Sequence, residues 1–480
     1  MIRWASRLID PPAGIEALRY EFGAVRVGAI LESVAQTGKM GRYSIFAAEP
    51  ARILTHSANS PDDPLDVIAR TCRPWARLET PCELPFVGGW IGYLAYEAGR
   101  YIEPAAGWTR PRGTLPISQW SLFDTVLIHD AKAQTWQVAG VELPPALRDE
   151  DRPSLEDRLE ELADCVAFLE PDYRPCRLDD AVETGTVNWN YSREDYLKKV
   201  ARVVDYIRAG DIFQANLTRR LRLMIEAHPF AIYERLCEAN PATHAAYLPL
   251  HELEGDDRGP AALISSSPEL FLQVRDGAVT TRPIKGTRPR GATGEQDKAE
   301  SSILAASAKD RAELNMIIDL VRNDLGRVCE YRSLQVESDG EIEALPTVFH
   351  RTATITGRLR KECDAIDLLR ATFPGGSVTG APKVRAMQII NELEPDARGA
   401  YCGAIGYIGL DGSMQLNLPI RTMTHTGGHV DLHVGSGVVA DSTPEDEYNE
   451  LQAKAAGMLR ALGLDKLEHI AARDHRPEAV

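Results

Sequence analysis

The chain has 480 residues, with 54 Lys and Arg against 70 Asp and Glu, a formal charge of −16. So acidic a surface excludes nucleic-acid binding as the main business, because phosphate contacts need clustered Lys and Arg. No window reaches the ~18 uninterrupted apolar residues of a membrane-spanning helix.

Met1 to Arg7 runs into Asp10-Pro11-Pro12 without the apolar core of a secretory leader, so a cytoplasmic protein is expected. Eight cysteines stand scattered without a C-x-x-C pair, which argues against zinc ribbons, thioredoxin-like redox sites and a disulfide framework. The length fits about three domains, or one large layered enzyme domain.

Residues 1–150 read as strands and short helices. Gly88-Gly89-Trp90-Ile91-Gly92-Tyr93 is a glycine-rich strand of the kind that packs close to neighbouring backbone. Residues 151–187 form a connector: Ser154 caps a helix whose Leu155, Leu159, Leu162 and Val166 recur at helical spacing, and Pro171, Pro175 and Gly185 follow. The second portion, 188–464, opens on a helix with Ser192 as cap, Asp195 at its third position, and Tyr191 and Tyr196 stapled across the start. Strands are expected at Leu263–Ser267, Phe271–Arg275 and Ala278–Arg282, the last two joined by an Asp276-Gly277 hairpin turn. A helix follows over Asp310–Gly326. A meander is expected from Cys402–Leu410, Ser413–Thr424 and His429–Val434, then a last helix from about Glu445. Residues 465–480 read as a frayed tail. Antiparallel hairpins among helices favour an α+β fold.

Several clusters bear chemistry. In the 276–277 hairpin, regular pairing sets Glu269 opposite Ile284, next to Lys285. An acid and an amine at one strand end would serve as general acid and nucleophile, or form a solvated salt bridge. Glu313 borders the apolar face of its helix, and Glu447, Glu450 and Lys454 share a face of the last one. Glutamate oxygens from two helices suit Mg²⁺; the alternative is a surface Glu450–Lys454 pair. Phe373 to Lys383 is a glycine-rich turn entering a helix with Pro382 at its first position, an anion cradle without a P-loop ending. Arg421 is expected across from Val434, beside a Gly435-Ser436-Gly437 nest, where the pair would hold a carboxylate or simply make a tight turn. His350 sits on an alternating strand, as substrate contact or structural residue. Cys402 is expected to be a small core residue.

Taken together these segments resemble the chorismate-utilising enzymes over nearly the whole chain. The carriers are Gly210 to Leu217, Ser267-Pro268-Glu269, Pro283 to Gly291, Asp310 to Asp324, Phe373 to Lys383, Cys402 to Tyr407, Ile420-Arg421-Thr422, Gly435 to Ser442, and Glu447 to Lys454. Leu31-Glu32-Ser33 and Gly41-Arg42-Tyr43-Ser44 resemble the amino half of anthranilate and aminodeoxychorismate synthase large subunits. The resemblance implies an anthranilate-synthase-like sandwich of two layered, mostly antiparallel sheets flanked by helices, both portions merging into one fold. It implies that Lys285 marks the para-directing, aminodeoxychorismate branch, where anthranilate synthases carry alanine. Gln214 stands where isochorismate synthases place a lysine base. By position, Arg421, Tyr407, Gly435, Ser436, Thr379, Gly380, His350 and Lys454 would line the chorismate pocket, Glu313 and Glu450 with Glu447 adjacent would hold Mg²⁺, and Glu32 and Ser33 would belong to a tryptophan pocket. Gly412 to Asn417 departs from the family pattern. No glutaminase triad is readable, so ammonia is expected from a separate glutamine amidotransferase subunit, with an aminodeoxychorismate lyase downstream. The rival readings are an anthranilate synthase large subunit and a non-catalytic tryptophan-binding regulator.

Overall fold

The computed structural model describes residues 3–37, 40–74, 84–108, 115–170, 184–251 and 260–464, with no side chain described for 184–186. The expected tail at 465–480, the part of the connector at 171–183 and two cysteines, Cys82 and Cys176, lie outside the described residues. The other six cysteines are free thiols. No described helix is long and apolar enough to cross a membrane.

The fold is α+β, built on two sheets. The twelve-stranded sheet runs Trp4–Ile9, Thr135–Val141, Thr125–Asp130, Tyr43–Ala47, Ala29–Glu32, His244–Pro249, Ala262–Ser267, Thr422–Thr426, His429–Val438, Gln214–Ile225, Gly380–Ala381, with Thr184–Trp189 also on Gln214–Ile225. The ten-stranded sheet runs Ile284–Pro289, Val348–Arg358, Ala278–Arg282, Leu270–Arg275, Met414–Asn417, Ala404–Gly409, Gly89–Leu94, Ser118–Phe123, Arg52–His56, with Gln335–Ala344 also on Val348–Arg358. Each sheet joins a block of early strands to a block of late ones through one antiparallel ladder, Ala29–Glu32 with His244–Pro249 in the larger sheet and Gly89–Leu94 with Ala404–Gly409 in the smaller.

Three apolar cores hold the layers. Ile45, Ile128, Ala246 and Leu263 of one sheet meet Ile91, Tyr93, Phe123 and Ile405 of the other in the seam between sheets. Helices Leu155–Ala167, Arg193–Arg208, Pro229–Ala239 and Pro444–Ala461 cover the outside of the larger sheet. Pro64–Cys72, Ala308–Gly326 and Ala365–Thr372 cover the smaller one. The glycine-rich strand is packed as close as expected: a Cβ on Gly92 would lie 2.0 Å from the Gln119 carbonyl oxygen.

The local signals are met where they rest on short-range chemistry. Ser154 and Ser192 accept from the amides of Asp157 and Asp195, and Tyr191 and Tyr196 are buried. The Asp276-Gly277 turn joins Leu270–Arg275 to Ala278–Arg282.

Other expectations are corrected. Leu270–Arg275 is bulged between Leu270 and Gln273, so Leu270 pairs with Arg282 and the ladder slips by one before it reaches Glu269. The single strand expected over Ser413–Thr424 is two, Met414–Asn417 in the smaller sheet and Thr422–Thr426 in the larger, because the intervening segment crosses between layers. The expected Cys402–Leu410 strand starts at Ala404, and buried Cys402 precedes it in a left-handed turn with φ 63°. Pro382 caps helix Lys383–Leu393 rather than opening it. Gly435-Ser436-Gly437 is no nest but regular strand, paired with Thr218, Leu217 and Asn216.

Candidate active site

Glu269 lies between strands Ala262–Ser267 and Leu270–Arg275, which belong to different sheets, so it sits where the chain passes from one layer to the other. It is 5% exposed. Burial pushes its carboxyl up to about 7, against the hydroxyl of Ser377, the ammonium of Lys285, the Ile284 amide and Lys454, which all favour the anion. Ser377 Oγ donates to Glu269 Oε1 at 2.7 Å.

Lys285 sits in a bulge. Ile284 pairs with Thr352 but Thr287 pairs with His350, leaving Lys285 and Gly286 as the irregular step, with Gly286 at φ 90°. Such a bulge re-aims a side chain out of the ladder. The Lys285 ammonium donates to the Ser377 carbonyl at 3.2 Å. Glu269 and Lys285 therefore share one neighbour, although the register that first suggested their meeting is shifted.

Gly437 explains how the larger sheet reaches the same place. A Cβ there would lie 2.4 Å from Gln214 Nε2 and 3.5 Å from Lys285 Nζ, so the glycine lets both side chains close over the strand. Gln214 is 1% exposed and its Oε1 is a buried acceptor with no partner. Such an orphan costs folding free energy unless a ligand satisfies it.

The turn that carries Ser377 is clamped on both sides. Lys383 donates to Asp324 at 2.6 Å and to the Thr372 carbonyl at 2.7 Å, tying the turn to helix Ala308–Gly326. Arg398 donates to the carbonyls of Val378 at 2.9 Å and Asn216 at 2.7 Å, tying it to strand Gln214–Ile225. Thr379 spends its hydroxyl on the Gly375 carbonyl at 3.0 Å. Gly380, at φ 145°, approaches Gln214 so closely that a Cβ would lie 2.1 Å from its carbonyl oxygen.

His350 and Arg421 close another side. His350 Nδ1 meets Thr287 Oγ1 at 2.9 Å, while its Nε2 has no partner. Burial and the nearby Arg421 charge push the imidazole down to about 3, so it is neutral. Arg421 stands just before strand Thr422–Thr426 at φ 52°, and burial lowers its guanidinium to about 10. Among the described residues no acid pairs with Arg421, which leaves a bidentate donor free for an anion.

Two helices bring the carboxylates. Burial raises Glu313, Lys285 and Lys309 oppose this, and Glu450 adds to it, so the two glutamates feel each other. Burial also works to raise Glu450, but Lys454, Lys309 and Lys285 outweigh it and hold it below its ordinary value. Lys454 pairs with Glu450 at 2.7 Å and donates to the Gly435 carbonyl at 3.2 Å, joining helix to strand. Glu447, 1% exposed, accepts from Ser442 at 2.5 Å, and its other oxygen has no partner. Among the described residues no three acidic, His or Cys side chains stand close enough to form a ready cation cage. The donor set still fits a hard divalent cation, with carboxylate oxygens alone and one buried oxygen unsatisfied.

Two expected members point elsewhere. Tyr407 packs its ring on Phe86 at 4.9 Å and lines a second cleft, of about 220 Å³, with Glu32, Ser33 and His244. Ser436 turns its hydroxyl to Tyr196 at 2.9 Å, under the last helix. In the second cleft Glu32 is already held by Arg19 through both oxygens, at 2.9 and 2.7 Å, and by Tyr233 at 3.0 Å. Ser33 gives its hydroxyl to the carbonyls of Tyr43 and Thr243. Sequence reasoning missed Ser377, Lys309 and Arg398. The glycine-rich turn was the one signal for Ser377, and the local signal for Arg398 is Glu394 four residues before it, with which it pairs at 2.7 Å.

An acid, an amine and a guanidinium that no acid pairs with among the described residues stand together in an α+β fold of two antiparallel sheets, an arrangement suited to a small anionic substrate. The model of the chorismate binding enzymes matches residues 29–460. Aminodeoxychorismate synthase component 1 of Klebsiella aerogenes is 37% identical over 436 residues, covering 88% of this chain and 90% of that protein. Anthranilate synthase component 1 of Streptomyces coelicolor is 35% identical over 462 residues, covering 95% of this chain and 87% of that protein. Anthranilate synthase component I from Streptococcus pneumoniae superposes with a TM-score of 0.73 at 30% identity, over 87% of this chain and 92% of that one. The chain belongs to the chorismate binding enzyme family, as the resemblance of its motifs implied.

Proposed function

We propose that the protein is the aminating subunit of an aminodeoxychorismate synthase, converting chorismate and ammonia to 4-amino-4-deoxychorismate and water for 4-aminobenzoate and folate synthesis. The observation that carries this is the Lys285 amine, re-aimed by its bulge to share Ser377 with the Glu269 carboxyl. The Lys285 ammonium gives its proton to the Glu269 carboxylate; Glu269, then in its acid form, protonates the C4 hydroxyl, which leaves as water while the freed Lys285 amine adds at C2 with shift of the double bond. Ammonia then adds at C4, the double bond shifts back, and Lys285 leaves as the free amine. The new ammonium returns its proton to Glu269, so acid and amine are restored. Two displacements account for an amine arriving at C4 rather than C2.

Arg421 binds a substrate carboxylate, and neutral His350 and the Gln214 amide orient the ring and exclude water. Glu313 and Glu450, with Glu447 beside them, would hold Mg²⁺. Bound there, the cation would neutralise a substrate carboxylate. Ammonia would come from a glutamine amidotransferase subunit; the "component 1" in the relatives' names supports such a partner. The Glu32–Ser33 cleft would take tryptophan, as effector or structural ligand.

The anthranilate synthase relative, 35% identical, favours a second reading, ortho-amination for tryptophan synthesis. Product identification separates them. The purified chain is incubated with chorismate, Mg²⁺ and ammonium, and the products are resolved by mass with and without aminodeoxychorismate lyase. Lyase-dependent 4-aminobenzoate supports the proposal. Anthranilate formed without lyase overturns it, and no consumption of chorismate points to a regulator.

A further inference from the structure

We propose that Ser377 is a positioning residue of this site, setting the distance and orientation between the acid Glu269 and the amine Lys285. The inference rests on the reading that these two groups carry the amination. Neither group is placed by a regular ladder: Glu269 follows a crossing between sheets and a slipped register, and Lys285 stands in a bulge. One residue touches both, through its hydroxyl to Glu269 Oε1 at 2.7 Å and its carbonyl from Lys285 Nζ at 3.2 Å.

Ser377 can serve as a gauge only if its own backbone is held, and it is. The next carbonyl, that of Val378, accepts from both Arg398 and Asn216, at 2.9 and 3.2 Å. The base of the turn is held by Lys383 on the Thr372 carbonyl at 2.7 Å. Asn216 belongs to the larger sheet, Arg398 also holds the Asn216 carbonyl, and Lys383 is paired with Asp324 of the helix bearing Glu313, so the turn transfers the positions of that sheet and helix to the reacting pair. A hydroxyl donor on Oε1 directs the proton of the neutral carboxyl to Oε2. Without it the carboxyl can rotate and present its proton in either direction, which slows proton transfer without changing how substrate binds.

The test compares Ser377→Cys, close in size but a poor donor, with Ser377→Thr, which keeps the hydroxyl. Each variant is checked for folding by thermal unfolding, and kcat and KM for chorismate are measured at saturating ammonium. Ser377→Cys is expected to lose ~tenfold or more in kcat with KM within about twofold, and Ser377→Thr to stay within about threefold of the parent. Placed on Glu269→Gln, the Cys change is expected to cost less than about twofold more, because the acid it serves is gone. A wild-type kcat in Ser377→Cys, equal losses in Cys and Thr, or a loss confined to KM would overturn the inference. Should the Cys variant not fold, Ser377→Gly is read by the same criteria. If the parent chain forms no 4-amino product, the functional reading itself fails; if it does and only the Ser377 variants are silent, this inference alone fails.

Discussion

Two buried glutamates in this molecule have opposite surroundings. Glu32, 2% exposed, meets the Arg19 guanidinium through both oxygens and takes a further bond from Tyr233. Glu269, 5% exposed, has a serine hydroxyl and a backbone amide close by, with Lys285 and Lys454 acting only through their fields. The first is a closed ion pair with both carboxylate oxygens bonded. The second is held short of full neutralisation, so burial keeps it near the point where it can give or accept a proton. Chemistry is found where the fold stops satisfying a group, and stability where it finishes doing so.

The comparison breaks most sharply on activity. Glu269→Gln is expected to lower the amination rate by about 10²–10⁴ while the protein stays folded, and Lys285→Ala to abolish or redirect 4-amination while chorismate still binds. Rates within threefold of the parent in either variant would make that residue a bystander.

Glu32→Ala should do the reverse. Leaving Arg19 buried without its partner is expected to cost about 3–5 kcal/mol in urea unfolding. The rate per folded molecule should change less than about twofold, and a large loss of rate without loss of stability would join the two regions functionally.

The pH response sharpens the contrast further. The Glu269 carboxyl is raised from its ordinary 4.5 to about 7 in the folded state. The folded protein then binds more protons than the unfolded chain between these values, so this group's contribution to stability is full below about 4.5 and lost as pH rises through about 7. Relative to the parent, Glu269→Gln should gain stability over that window, by about 3 kcal/mol. At constant free ammonia the parent's rate should fall as pH rises past the same point, because the acid form is consumed. A flat stability difference between the two proteins from about pH 4 to 8 would remove Glu269 from the under-satisfied class.

The smallest effect is expected at the carboxylates. Glu313→Gln or Glu447→Gln should raise the half-saturating Mg²⁺ concentration by about tenfold or more, read in the rate and in Mg²⁺-dependent thermal stabilisation. An unchanged titration excludes that residue from the cation site.

Much of this was legible in the chain. Helix starts at Ser154 and Ser192, the Asp276-Gly277 turn, and the helices carrying Glu313 and Glu450 follow from interactions spanning a few residues, so composition and period suffice. Ordered motifs named the family and brought Glu269, Lys285, His350, Arg421 and Lys454 to attention. Tyr407 was carried over by its place in the motif, which does not say which side of the sheet faces which cleft, and it lines the cleft with Glu32. The Gly435–Gly437 run misled because glycines read as a flexible turn, whereas here they admit Gln214 and the Asn216 and Thr218 side chains against the strand. Ser377 was silent because Glu269 lies 108 residues away, and Arg398 read only as one end of a local pair with Glu394 because the Asn216 carbonyl it holds lies 182 residues away.

The amino-acid sequence by itself determined the α+β class, the caps and turns, the family, and the acid and amine that make a reacting pair conceivable. Only the tertiary structure decided where they meet. Bulges at Leu270–Gln273 and at Lys285–Gly286 displace both residues from the register that simple pairing predicts, and a turn clamped between a helix and the larger sheet returns them to a common neighbour. Local propensity acts over one turn of chain, whereas proton transfer depends on distances of about 3 Å between atoms that only long-range packing can set.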